Sequence, residues 1–262
     1  MSKMCATSKS EIHNTEKQRN SVVFLVALIK KRISAACEKS GRNPQEVKLL
    51  LATKTVSAEG IKVALEAGET LIGENNVQEL KEKFDALIHT PYKKHFIGHL
   101  QTNKIKDILK CDVTCIESLD RLDLAEKLHQ RLMYEQKKMD VFIQVNTSAE
   151  ESKFGVSPEN AIELVKQVSQ LESLHIKGLM TIGLFSAETE KVRKCFKLLK
   201  KLQLEIIQQN IPNVEMKELS MGMSNDLEAA IDEGATIVRV GTAIFGQRMY
   251  PDSYYWNENE TK

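Results

Sequence analysis

The chain has 262 residues, and its 37 Lys and Arg nearly cancel its 36 Asp and Glu, leaving a formal net charge of +1. A charge that small sets up no global field toward nucleic acid or an anionic membrane, so neither is expected as a partner. The length suits one α/β barrel, which usually takes about 250 residues.

From the N-terminus, residues 1–20 are polar and mixed in charge and read as a flexible tail. The apolar run VVFLVALI that follows is ended by Lys30, Lys31 and Arg32. It falls well short of the roughly 20 residues that a membrane span needs. Val22, Val26, Ile29, Ile33 and Cys37 recur at helical spacing and predict an extra N-terminal helix. A cationic run between the apolar stretch and SAAC (34–37) is the wrong order for a cleaved signal, so a cytosolic location is expected. Cys5, Cys37, Cys111, Cys115 and Cys195 are odd in number and scattered, which predicts reduced thiols and no metal site.

The body of the chain alternates β-rich runs with helical patterns. Strands are expected at 47–53, 70–75, 95–98, 113–118, 140–147, 176–183, 216–221 and 236–240, and helices at 58–66, 122–136, 160–170 and 191–208. The basic residues of KVRKCFKLLKK (191–201) interleave with Val192, Phe196, Leu198 and Leu199, the pattern of a solvated face on an amphipathic helix. Strands alternating with helices imply right-handed βαβ units and a parallel sheet, and a count of about eight favours a closed (β/α)8 TIM barrel. The expected organisation is a barrel over 21–248 and a C-terminal tail over 249–262. No G-x-G-x-x-G follows the first strand, and GTAIFG lacks the Lys-Ser/Thr of a nucleotide P-loop.

Two glycine-bearing strand ends stand where such barrels often bind phosphate, after strands seven and eight. In SMGMSND (220–226) the glycine permits close backbone approach, and Ser-Asn-Asp is a helix-start composition whose N–H groups favour an anion, although an ordinary capped turn has the same look. In RVGTAIFG, Gly241 and Thr242 open a short helix. Lys54 ends the first strand on the face of Leu50 and Ala52. A lysine at a strand end is commonly just exposed, but one over an apolar barrel top can form an imine with a carbonyl. A Schiff-base lysine with a phosphate cup fits an aldolase or a pyridoxal phosphate protein. Arg239, inward on the last strand below Gly241, is placed either for a structural ion pair or for a pyridine nitrogen, and the aldolase reading leaves it unexplained.

The motifs LLLATKTVS, GENNVQEL, HFIGHLQTNK, QVNTSAEESKFG, GLMTIG, LSMGMSNDLEAAI and VRVGTAIFGQR, in this order and spacing from Leu49 to Arg248, resemble the pyridoxal phosphate homeostasis protein family. The resemblance implies a single barrel like the N-terminal domain of alanine racemase, with pyridoxal 5′-phosphate held as a Schiff base on Lys54. It further implies Arg239 at the ring nitrogen, Ser224, Gly241 and Thr242 at the phosphate, and Asn75 and Met221 at the ring edge and wall. The residue after GEN is usually aromatic in this family, and here it is Asn76. The implied role is cytosolic buffering and delivery of the vitamin B6 cofactor to apo pyridoxal phosphate-dependent enzymes, by a monomer with no robust catalysis. Efficient racemases take an opposing base from a second domain that this sequence is not expected to carry, and weak racemase activity is the alternative. Lys153 of SKFG is the second candidate for the aldehyde.

Overall fold

The computed structural model describes residues 2–184 and 186–246, with side chains described from residue 19 onward. The expected tail at 249–262 lies outside the described residues, as do 247 and 248. Eight parallel strands close into a barrel in sequence order: β1 (Lys48–Ala52), β2 (Leu71–Glu74), β3 (Lys93–Phe96), β4 (Cys115–Leu119), β5 (Met139–Gln144), β6 (Leu174–Met180), β7 (Val214–Ser220) and β8 (Ile237–Val240). Closure is made by β1 and β8, with Leu50 paired to Arg239 and Leu51 to Val240. The helices are α1 (Ser2–Lys39), α2 (Ala58–Glu66), α3 (Val77–Leu87), α4 (Ile105–Lys110), α5 (Leu122–Tyr134), α6 (Pro158–Val168), α7 (Thr189–Gln208), α8 (Leu227–Asp232) and α9 (Thr242–Phe245).

Alternation along the strands splits the core in two. Leu50, Leu71, Cys115, Phe142, Met180 and Ile237 form a cluster inside the barrel. Their neighbours Leu49, Leu51, Ile72, Ile116, Val141, Leu179 and Val238 join the helices in a larger outer cluster. On α7, Val192, Phe196, Leu199 and Leu202 are buried while Lys197 and Lys201 stay exposed, the amphipathic helix that the spacing predicts.

Two differences from the sequence reading concern helices. The segment 1–20, expected as a loose tail, continues α1 as helix from Ser2. Neither Gly nor Pro occurs before Gly41, so nothing in the sequence breaks the helix ahead of the face formed by Val22, Val26, Ile29, Ile33 and Cys37, all of which are buried. That face packs α1 against α2, α8 and α9. α3 is the second difference. Asn76 is its N-cap, its side chain accepting from the N–H groups of Gln78 at 2.7 Å and Glu79 at 3.3 Å.

Among the described residues, no helix is long and apolar enough to cross a membrane, and no group of three His, Cys, Asp or Glu could hold a metal ion. Cys37, Cys111, Cys115 and Cys195 are free and buried.

Candidate cofactor site at the barrel mouth

The C-terminal ends of β1, β2, β7 and β8 bring most of the predicted site residues to one end of the barrel. Arg239, inward on β8, is buried and held from two sides. One terminal nitrogen donates to Ser220 Oγ at 2.8 Å and the other to the Thr181 carbonyl at 2.7 Å. Ser220 in turn donates to Glu117 Oε2 at 2.6 Å, and His95 Nδ1 lies 2.6 Å from Glu117 Oε1. A polar chain therefore crosses the apolar interior from β3 through β4 and β7 to β8 and the end of β6.

The chain is electrically organised. Burial pushes the Glu117 carboxyl up, but the bond from His95, the charge of Arg239 and the bond from Ser220 outweigh it and hold the group below its ordinary range. Glu117 is therefore the acceptor in both of its bonds, and His95 Nδ1 is the donor. Burial lowers the Arg239 guanidinium pKa, opposed by Glu117 and Asp226. An arginine stays protonated across such shifts. Its guanidinium also carries more N–H groups than the two bonds above use.

At the rim, Ser224 Oγ and Thr242 Oγ1 stand 3.4 Å apart, bringing together the loops after β7 and β8. Gly241 precedes Thr242 at the start of α9, and a Cβ there would lie 2.8 Å from the Ala52 carbonyl oxygen, so the glycine lets β8 end against β1. Gly222 has another cause than the one expected. Its φ is +91° and a Cβ would meet Ala230 Cβ at 2.4 Å, so this glycine serves the packing of α8. From outside, Arg32 of α1 donates to the Ser224 carbonyl at 3.0 Å and to both carboxylate oxygens of Glu228 at 2.7 and 2.9 Å, fastening the loop to the first helix.

Lys54 does not end the strand as expected: β1 stops at Ala52, Thr53 intervenes, and Lys54 stands half-buried in the turn that leads to α2. Asn75 follows β2, and its buried Oδ1 has no hydrogen-bond partner among the described residues. A buried acceptor in that state calls for a donor from outside the chain. Met221 is not brought to the others. It is fully buried in the outer cluster, on the face opposite Ser220, with Leu227 and Ala230 of α8. Lys153 is already engaged, donating to the Gly183 carbonyl at 2.8 Å and paired with Glu150. Beside it Phe154 stacks on His99, with ring centroids 3.8 Å apart, linking the loops after β5 and β3.

His95, Glu117 and Ser220 complete this site and were not singled out from sequence. Their signal is a polar residue on the inward face of a strand. His95 pairs with Cys115, and Glu117 lies two residues beyond that interior cysteine.

The family model for the alanine racemase N-terminal domain matches residues 7–249, which span the whole of this closed parallel barrel. The pyridoxal phosphate homeostasis protein of Aquifex aeolicus is 45% identical over 219 residues, covering 84% of this chain and 95% of the relative. The chain belongs to the pyridoxal phosphate homeostasis protein family. Among solved structures, one of an unknown protein from Bifidobacterium adolescentis is 38% identical with a TM-score of 0.82, covering 87% of this chain and 96% of that one. PipY of Synechococcus elongatus, solved with PLP bound, is 30% identical with a TM-score of 0.75, covering 86% of this chain and all of its own, 100%.

Proposed function

We propose that the protein binds pyridoxal 5′-phosphate at the barrel mouth as a Schiff base on Lys54, and that it buffers and delivers this cofactor to apo enzymes as a cytosolic monomer. The observation that carries the reading is Arg239, a buried cation anchored through Ser220 and Thr181 on the strand that pairs with β1. The residues present fit the group. The rim offers two hydroxyls 3.4 Å apart and a backbone brought close at Gly241, and Asn75 supplies an unpartnered buried acceptor. When bound, pyridoxal 5′-phosphate supplies an aldehyde that condenses with an amine and a ring that can accept electrons.

The chain's own residues divide the work. Ser224, Gly241 and Thr242 hold the phosphate, Lys54 provides the amine, and Asn75 faces the ring edge. The part of Met221 is limited to its backbone, because its side chain packs outward. Arg239 faces the ring nitrogen as a donor that keeps its own proton, which leaves that nitrogen unprotonated and the ring a weak electron sink. Storage and transfer fit that arrangement better than turnover, in line with the name of the relatives at 38–45% identity.

Borohydride reduction of the protein loaded with pyridoxal 5′-phosphate, followed by peptide mapping, tests the assignment. The adduct is expected on Lys54, and an adduct on Lys153 would overturn it. The loaded protein is also expected to restore an apo enzyme's activity, while showing no α-proton exchange on amino acids in heavy water near the roughly 1 per second typical of enzymes. Rapid exchange would favour the racemase alternative. For the rim, Thr242→Val is expected to weaken pyridoxal 5′-phosphate about tenfold or more and to leave pyridoxal nearly unaffected, since a hydrogen bond to a charged group contributes about 1.5 to 3 kcal/mol. Equal weakening of both ligands would make Thr242 a support of the fold alone.

A further inference from the structure

The turn that carries Lys54 is pinned from one helix on both sides of that residue. On its N-terminal side the Thr53 carbonyl accepts from Lys83 Nζ at 2.8 Å. On its C-terminal side the Thr55 N–H donates to Glu79 Oε2 at 2.6 Å. Glu79 and Lys83 stand four residues apart on α3, hence on one face of it, and are bonded to each other at 3.0 Å. Lys83 also reaches Glu74 Oε1 at 3.0 Å, and Glu74 accepts from Thr53 Oγ1 at 2.5 Å. The group is sunk between barrel and helix, with Lys83 12% exposed and Glu74 2%. Within it Thr55 has φ +65°. That region is unfavourable for a β-branched residue, and such a conformation persists only where its surroundings over-determine it.

We infer that Glu79 and Lys83 are positioning residues for the covalent attachment at Lys54: by clamping the peptide groups before and after it, α3 holds the strained turn that aims its amine. The inference rests on the reading that Lys54 is the attachment point. It assigns a task to the VQEL part of GENNVQEL, which otherwise only continues a helix. Glu79 cannot let go without freeing the Thr55 N–H, and the turn then relaxes toward the ordinary φ of threonine and carries Lys54 with it. The phosphate rim, built on β7 and β8, is not part of the clamp, so aim and phosphate binding are separable.

The test compares two probes on the full chain: pyridoxal 5′-phosphate, and 4′-deoxypyridoxine 5′-phosphate, which keeps ring and phosphate but has a methyl group where the aldehyde would be. Glu79→Ala is expected to weaken the aldehyde ligand by about tenfold or more and to lower the borohydride-trapped fraction at Lys54, while the deoxy analogue binds within about twofold of the unmutated protein, because one charge-assisted hydrogen bond is lost at the turn and none at the phosphate. Glu79→Gln keeps an acceptor oxygen and should recover most of the trapping. If Glu79→Ala does not fold, Lys83→Met, which releases the Thr53 carbonyl instead, should show the same split. Equal weakening of both probes, or none of either, overturns the inference. An unmutated protein that traps no adduct on Lys54 overturns instead the reading beneath it, so the two failures are distinguishable.

Discussion

Replacing Glu117 by glutamine is expected to cost on the order of 3 kcal/mol of stability, because a buried cation loses the charge that compensates it. Glu117 is fully buried, and Arg239 reaches it through a single hydroxyl. For a chain of this size the melting temperature should fall by about 6 to 12 °C. A companion variant with leucine at both Glu117 and Arg239 removes the whole pair and should regain more than half of that loss, since apolar replacement of a buried pair is often close to neutral. A loss below about 1 kcal/mol in the single variant would mean that Asp226, the other carboxyl acting on Arg239, already balances the site. The pH dependence has a definite sign. The folded carboxyl sits below its ordinary pKa, so its contribution is present above the unfolded value, about 4.3, and is lost as pH falls through the lower folded value. Acid unfolding of Glu117→Gln should therefore lack the part of the pH slope that lies below about pH 4 in the unmutated protein.

Gly98→Ala is expected to cost about 3 kcal/mol, the upper end of ordinary overpacking, and to cost cofactor affinity as well. A Cβ at Gly98 would lie 1.9 Å from the Asn75 carbonyl oxygen and 2.7 Å from both its carbonyl carbon and its Cα. These are backbone atoms of a rim residue, with no flexible side-chain end to swing away. The chain after β2 must shift, and the unpartnered acceptor of Asn75 shifts with it. Gly60→Ala is the matched control. It lies inside α2, its nearest neighbour would be the Val56 Cγ1 at 3.1 Å, and alanine is the better helix former by about 1 kcal/mol, so the net change should stay small. Urea unfolding of both variants, with pyridoxal 5′-phosphate titration of each, separates the outcomes. A Gly98→Ala protein as stable as Gly60→Ala would show that the β2 end yields without cost.

The parts of this architecture that the sequence exposes are those with a strong local period. All eight expected strands are present within a few residues, and α2 runs over Ala58–Glu66 as its apolar spacing predicts. α3 was missed because QELKEKF is dominated by charge, and the Asn76 cap that announces it looks like one more polar residue in a loop. The rim was legible because glycines and hydroxyls at two strand ends are unusual together. His95, Glu117 and Ser220 were not, because an inward polar residue is recognisable only once the strand register shows which apolar neighbours it stands among. The clamp on Lys54 was hidden for a related reason: a glutamate and a lysine four apart on a helix are the commonest of surface patterns, and only the fold turns that face toward the end of β1.

The contact between Arg32 and the Ser224 carbonyl joins residues 192 apart in sequence. During synthesis at about 5 to 20 residues per second, α1 waits roughly 10 to 40 s for the loop it secures. Through that interval the stripe of Val22, Val26, Ile29 and Ile33 has neither α8 nor α9 to cover it, and β1 has no β8 to pair with. The rim is thus built after the rest of the barrel, and a nascent chain has the lysine that follows β1 long before it has the loops after β7 and β8. Chains released before the ring closes expose the apolar stripe of α1 and an open edge at β1, the two features that favour association between incomplete chains.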